Sequence, residues 1–142
     1  MIEKLEDLPN EILGNWKEIS KFQKLSENFM REFQDKVNWE YISMHQTLSE
    51  DFIKEFQDKV DWYFISRYQI LSETFISEFS NRVDWKNISI HQILSEKFIK
   101  GRQDKVDLYF IGKYQKLSED FITEFGDEIN WASSKNYNIT YV

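Results

Sequence analysis

Glutamine recurs at Gln23, Gln46, Gln69, Gln92 and Gln115, a constant step of 23 residues, and no other polar column offers a ligand as much. An amide both donates and accepts, so a stack of amides can hold a ligand or read one base per repeat, as some helical RNA-binding repeats do. A base-reading code needs the reading residue to vary, and this one never does. The column therefore reads as structural: each amide satisfies backbone groups at a turn or bonds the next glutamine along.

The other reactive residue types fare no better as catalysts. His45 and His91 are the only histidines and stand two repeats apart, roughly 20 Å if each helix layer adds about 10 Å. That excludes a shared metal or an acid–base pair, and they are expected as aromatic substitutes in a half-buried column. Glu27, Glu50, Glu73, Glu96 and Glu119 each follow a serine, where a helix macrodipole favours negative charge. Regular carboxylate spacing supports no glycosidase pair. Serine occurs as a cap or a small packing residue, with no nucleophile elbow. Lys36, Lys59, Arg82 and Lys105 form a basic ladder, but Asp35, Asp58 and Asp104 stand beside three of its members, which argues against a phosphate-binding stripe. No catalytic residue, metal ligand or cofactor site is expected.

These columns are positions of one phrase, W-x-x-I-S-x-x-Q-x-L-S-E-x-F-I-x-E-F-x-D-K-V-D/N, starting at residues 16, 39, 62, 85 and 108. Such a period marks a solenoid, whose units bury their apolar faces only against neighbours. Asp61 before Trp62 and Ser72 before Glu73 are strong helix N-caps. Val60 with Ile65, and Leu71 with Ile76, have the spacing of hydrophobic staples. Each repeat is therefore two short helices, roughly 8–11 residues long by that spacing. Phe75, Ile76, Phe79 and Val83 form the apolar stripe of one; Trp62, Ile65 and Gln69, with the small Ser66 beside them, that of the other. Helices this short need stacking to be stable.

The expected fold is thus an all-α solenoid of five tandem two-helix repeats over 16–130. Residues 1–15 form an N-terminal helical cap, in which Leu8-Pro9-Asn10-Glu11-Ile12-Leu13 aligns with the second helix. Residues 131–142 form a truncated sixth repeat, opened by Trp131, and a short extended tail over Tyr137–Val142. Repeats three and five resemble each other, as do two and four, which points to growth by copying a 46-residue pair. Repeat four departs most: Gly101-Arg102 stands where the others carry Glu-Phe. Glycine there costs about 1 kcal/mol, so this copy is either drifting or opened as a contact site.

Composition narrows the partners. The net charge of −7 at 30% charged residues disfavours non-specific binding to nucleic acid or anionic membrane. There is no cysteine for a disulfide or thiolate site. The segment MIEKLEDLPNEIL lacks the apolar core of a signal peptide, and no apolar run reaches a membrane span. A cytoplasmic location is expected.

The segment Leu8 to Leu13 resembles the opening of the F-box motif over six residues, while the remainder of that domain is absent. The whole 23-residue phrase is similar to repeats in uncharacterised proteins of large DNA viruses and phages, a resemblance that implies no activity and would place the chain in host cytoplasm. The functional expectation is a non-catalytic protein–protein interaction module. Its surface should be the positions where copies differ: Tyr41, Tyr63, Phe64, Asn87, Arg102, Tyr109 and Phe110, with Tyr63, Phe64, Tyr109 and Phe110 as exposed anchors. Two alternatives stand beside it: an acidic nucleic-acid mimic that inhibits a defence protein, and a structural repeat protein that self-assembles, so that the chain is expected as a monomer or an end-to-end homo-oligomer.

Overall fold

The computed structural model describes the backbone over residues 1–135 and side chains over 1–129. The chain is an all-α helical-repeat solenoid. Its helices alternate as α1 (Trp16–Phe22), α2 (Glu27–Glu32), α3 (Trp39–His45), α4 (Glu50–Glu55), α5 (Trp62–Tyr68), α6 (Glu73–Glu78), α7 (Trp85–His91), α8 (Glu96–Gly101), α9 (Leu108–Tyr114) and α10 (Glu119–Lys135). Two compact units divide it, Met1–Leu71 and Ser72–Val142. In the first, α1 packs on α3 and α3 on α5; in the second, α7 packs on α9 and α9 on α10. First helices thus form the stacked layer of each unit.

The expected caps are all in place. Ser26, Ser49, Ser72 and Ser95 accept the backbone N–H three residues on, and Asn38, Asp61, Asp84 and Asp107 do the same for the first helices. The helices are shorter than staple spacing suggested, seven residues for α1, α3, α5, α7 and α9 and six for α2, α4, α6 and α8. Each first helix stops because its glutamine adopts an extended conformation, φ −90° and ψ 152° at Gln46. The apolar stripes are buried as read: Ile19, Ile42, Ile65, Ile76, Ile88, Ile99 and Ile111 are fully enclosed. Trp16 and Trp39 each rest on the two phenylalanines of their own repeat, with ring centroids 4.9 Å apart for Trp39 and Phe56, whereas Trp85 stacks on Phe98 where Arg102 replaces the second ring. The indole N–H donates to a backbone carbonyl five residues back, Trp39 to Gln34 and Trp62 to Gln57, both at 2.9 Å.

Within each unit, three kinds of side chain tie one repeat to the next. Gln46 Nε2 donates to the carbonyls of Ser20 (2.9 Å) and Gln23 (2.8 Å), while its Oε1 accepts from Leu25 N–H (3.0 Å). Gln69 repeats this on Ser43, Gln46 and Leu48, and Gln115 on Ser89, Gln92 and Leu94. The small-residue column does more than allow close approach. Ser20 Oγ donates to Trp16 carbonyl (2.6 Å) and accepts from Asn38 N–H (2.9 Å), the first-helix cap of the next repeat. Ser43 and Ser89 make the same relay to Asp61 and Asp107. The post-serine glutamates also reach across: Glu27 Oε1 accepts from Ser49 N–H, Glu73 from Ser95, and Glu96 from Ser118.

The ends depart from the repeat. The N-terminal cap is two single 3-10 turns, Leu5–Asp7 and Asn10–Ile12, rather than a shortened α-helix, with Leu8 buried between them. Ile2 forms a parallel bridge with Leu25, and its carbonyl accepts Ser26 N–H at 3.0 Å. That is the place a preceding repeat's glutamate would fill. At the other end α10 runs unbroken through Trp131, so no sixth repeat begins there. The reason lies in repeat five, where Gly112 replaces the relay serine and leaves Asn130 N–H no hydroxyl to bond. The backbone keeps its helical bonds instead. A Cβ on Gly112 would lie 2.5 Å from Ile129 Cγ2, so the glycine also makes room for α10. The tail expected over Tyr137–Val142 lies outside the described residues.

Candidate aromatic and cationic surface on the first helices

The variable positions of the first helices follow one another at the second, third, sixth and seventh residues, which an α-helix gathers onto one outer face. On α5 these are Tyr63, Phe64, Arg67 and Tyr68. Tyr63 meets Phe64 edge-on at 5.2 Å, Phe64 stacks on Tyr68 at 6.1 Å, and Arg67 lies 5.2 Å above the Tyr68 ring while donating to Tyr63 Oη at 3.3 Å. Such contacts hold aromatic side chains in fixed rotamers, which lowers the entropy lost when they bind. On α3 Tyr41 stacks on His45 at 5.8 Å, and Lys17 and Lys21 of α1 reach over the Tyr41 ring.

The second unit repeats the arrangement on α9. Tyr109 meets Phe110 at 4.9 Å, and Phe110 stacks on Tyr114 at 6.1 Å. Lys113 stands over Tyr109 and Tyr114, and Lys86 of α7 lies 5.0 Å from the Phe110 centroid. The Tyr109 and Tyr114 hydroxyls beside Lys113 hold its ammonium above the ordinary lysine value.

The variable residues named from sequence separate into four groups. Tyr63 is exposed, at 47% of its area. Tyr41, Phe64, Tyr109 and Phe110 are half-buried within the face rather than open anchors, because neighbouring rings and lysine stems cover them. Asn87 is buried at 5% and its backbone N–H is taken by Asp84, so its short side chain is not a surface contact. Arg102 stands apart from all of these, at the end of α8.

Several open residues escaped sequence reasoning. Phe22, Tyr68 and Tyr114 end their first helices with about half or more of their area in solvent, and Ile70 and Ile93 are almost fully exposed. His45 and His91 belong to the same column and are exposed, not half-buried. Phe22, Lys21, Gln23, Lys24 and His45 line an open cleft of about 530 Å³ in the first unit. Counting apolar residues at the position after each glutamine would have found Ile70 and Ile93, since no helix stripe includes it.

Charge is sorted between the two kinds of helix. First helices carry Lys17, Lys21, Arg67, Lys86 and Lys113 against only Glu18 and Glu40. Second helices hold the acidic excess: α6 has Glu73 and Glu78 without a cation, and α10 has five carboxylates before Lys135. Part of that acid is engaged within the chain, as Arg31 binds Glu55 at 2.7 Å and Lys100 binds Glu124. The basic ladder is likewise occupied at Lys59, which pairs with Asp35 at 3.0 Å and lies over Trp39. Among the described residues no group of three or more His, Asp or Glu side chains could hold a metal. No helix there is long and apolar enough to cross a membrane. Comparison with protein-family models, curated proteins and solved structures finds no match to the chain.

Proposed function

We propose that the chain is a non-catalytic protein-interaction module that engages a protein partner through the outer face of its first helices. One observation carries this reading: the ordered set Tyr63, Phe64, Arg67 and Tyr68 on α5 recurs as Tyr109, Phe110, Lys113 and Tyr114 on α9. Aromatic rings with adjacent cations are the side chains that dominate interface hot spots. The invariant columns, by contrast, are used up in holding repeats together. The resemblance to viral and phage repeats makes a host protein in the cytoplasm the natural partner.

Exchanging Tyr63 and Tyr68 for alanine tests the reading, because both are half exposed and neither belongs to a repeat-to-repeat bond. Far-ultraviolet circular dichroism should be unchanged, while partner retention from a host lysate should fall at least about tenfold, the loss of one to two hot-spot residues. A collapse of thermal stability would place these rings in the core and defeat the proposal.

The acidic second helices favour a second reading, an inhibitor that occupies the basic nucleic-acid channel of a defence protein. It differs in salt response: such a complex should weaken steeply as ionic strength rises.

A further inference from the structure

Repeat four breaks the second-helix pattern at two adjacent positions, and a third change, in repeat three, fits them. The other repeats carry a carboxylate at the position of Gly101 (Glu32, Glu55, Glu78, Glu124) and a phenylalanine at that of Arg102. The cation rung, Arg31, Lys54 and Lys100 in repeats one, two and four, is Ser77 in repeat three, the repeat that faces Gly101, and Thr123 in repeat five. Arg102 Nη2 bonds Ser77 Oγ at 3.3 Å, and its guanidinium lies 5.9 Å from the Phe98 centroid. Removing the glutamate, the aromatic and the matching cation together is a coordinated exchange, which random drift at one position does not produce. The exchange leaves a cavity of about 300 Å³ lined by Glu73, Ser95, Lys97, Phe98, Gly101 and Arg102. Phe98 is half-buried there, whereas its counterparts Phe29, Phe52, Phe75 and Phe121 are enclosed. A Cβ on Gly101 would meet nothing within 4 Å. Arg102 Nε is shielded from solvent and has no hydrogen-bond partner in the protein. The lining carboxylate, Glu73, already accepts Ser95 N–H. α8 is also the one second helix among the described residues with more cations, Lys97 and Lys100, than carboxylates.

We propose that this notch binds a glutamate side chain from an acidic segment of a partner protein, separately from the first-helix face. The carboxylate pairs with the Arg102 guanidinium, which turns to present its unmet Nε–H, and with Lys97, and the methylene stem lies on the Phe98 ring. A guanidinium with one shielded and unmet N–H favours a charged acceptor strongly, and the apolar floor distinguishes a carboxylate on a carbon stem from a compact oxyanion.

Proton–nitrogen correlation spectra of the whole chain, which resolve arginine Nε–H groups, and aromatic proton–carbon spectra, which resolve the Phe98 ring, test this with glutarate as probe. Saturable shifts at Arg102 Nε–H and on the Phe98 ring, absent with neutral glutaramide and at least fivefold weaker with inorganic phosphate, are expected. Arg102→Phe, which restores the residue of the other repeats, should abolish them. Gly101→Glu, which supplies a carboxylate from within, should weaken glutarate several-fold while the fold is retained. Shifts matched by sodium chloride at equal ionic strength, tighter binding of phosphate, or unchanged affinity in Gly101→Glu would overturn the assignment.

Discussion

Gln46 uses every polar atom of its amide on the repeat before it, and Leu25, whose N–H it accepts, is buried. Truncation leaves a buried donor and two carbonyls unpaired, so Gln46→Ala should cost about 2–4 kcal/mol in urea unfolding. A loss below about 0.5 kcal/mol would mean the amide is incidental. Glu96 acts across repeats in the same way, and its bonds from the Ser118 N–H and hydroxyl hold its carboxyl below the ordinary 4.5. A depressed carboxyl stabilises the fold above that ordinary value and loses its effect as pH falls through the lower folded one. Glu96→Gln should therefore lower the melting temperature at neutral pH and leave it nearly unchanged in acid, where the parent carboxyl is already protonated. The caps were legible in sequence because a cap and its N–H lie three residues apart. The serine relay and the glutamate bridge join residues 18 and 22 apart, beyond any local pattern. Only the pairing of invariant columns at those offsets could have indicated them.

At the scale of the helix, the difference between a serine and a glycine decides where a repeat ends. Where Ser20, Ser43 and Ser89 offer a hydroxyl to the next cap, the second helix closes in a turn and a new repeat opens. Where Gly112 offers none, α10 continues and lays Ile129 against the vacant Cβ position. Gly112→Ser restores the hydroxyl but places a Cβ against Ile129, and such overpacking should cost about 1–3 kcal/mol in thermal unfolding. Amide exchange over residues 130–135 should accelerate with it; unchanged exchange and stability would refute the steric account. The sequence phrase suggested a restart at Trp131 because the tryptophan is repeated. It missed that the partner of the restart, a serine 18 residues before its cap position, is absent. Helix number and order were legible, since period and caps are local; helix lengths were overestimated because the extended glutamine takes its conformation from the neighbouring repeat it binds.

For the molecule as a whole, the sorting of side chains between helix types separates scaffold from surface. The invariant columns bond repeat to repeat, the second helices carry most of the acid, and the first helices expose aromatic rings beside cations. Sequence named part of that face by looking where copies differ, but it could not rank exposure. Asn87 and Tyr63 are equally variable, yet one is buried and the other open, because exposure depends on which neighbour covers the position. An interface built on the first helices should change affinity less than about threefold between roughly 50 and 500 mM salt, since its dominant contacts are apolar and short-ranged. The most direct test is parallel partner capture with two variants of equal helicity. One replaces Tyr63 and Tyr68 by alanine; the other converts Asp51, Glu55, Asp120 and Glu124 to their amides. Loss of the partner in the first and retention in the second is the predicted result. Retention in the first with loss in the second would move the function to the acidic helices and contradict the account.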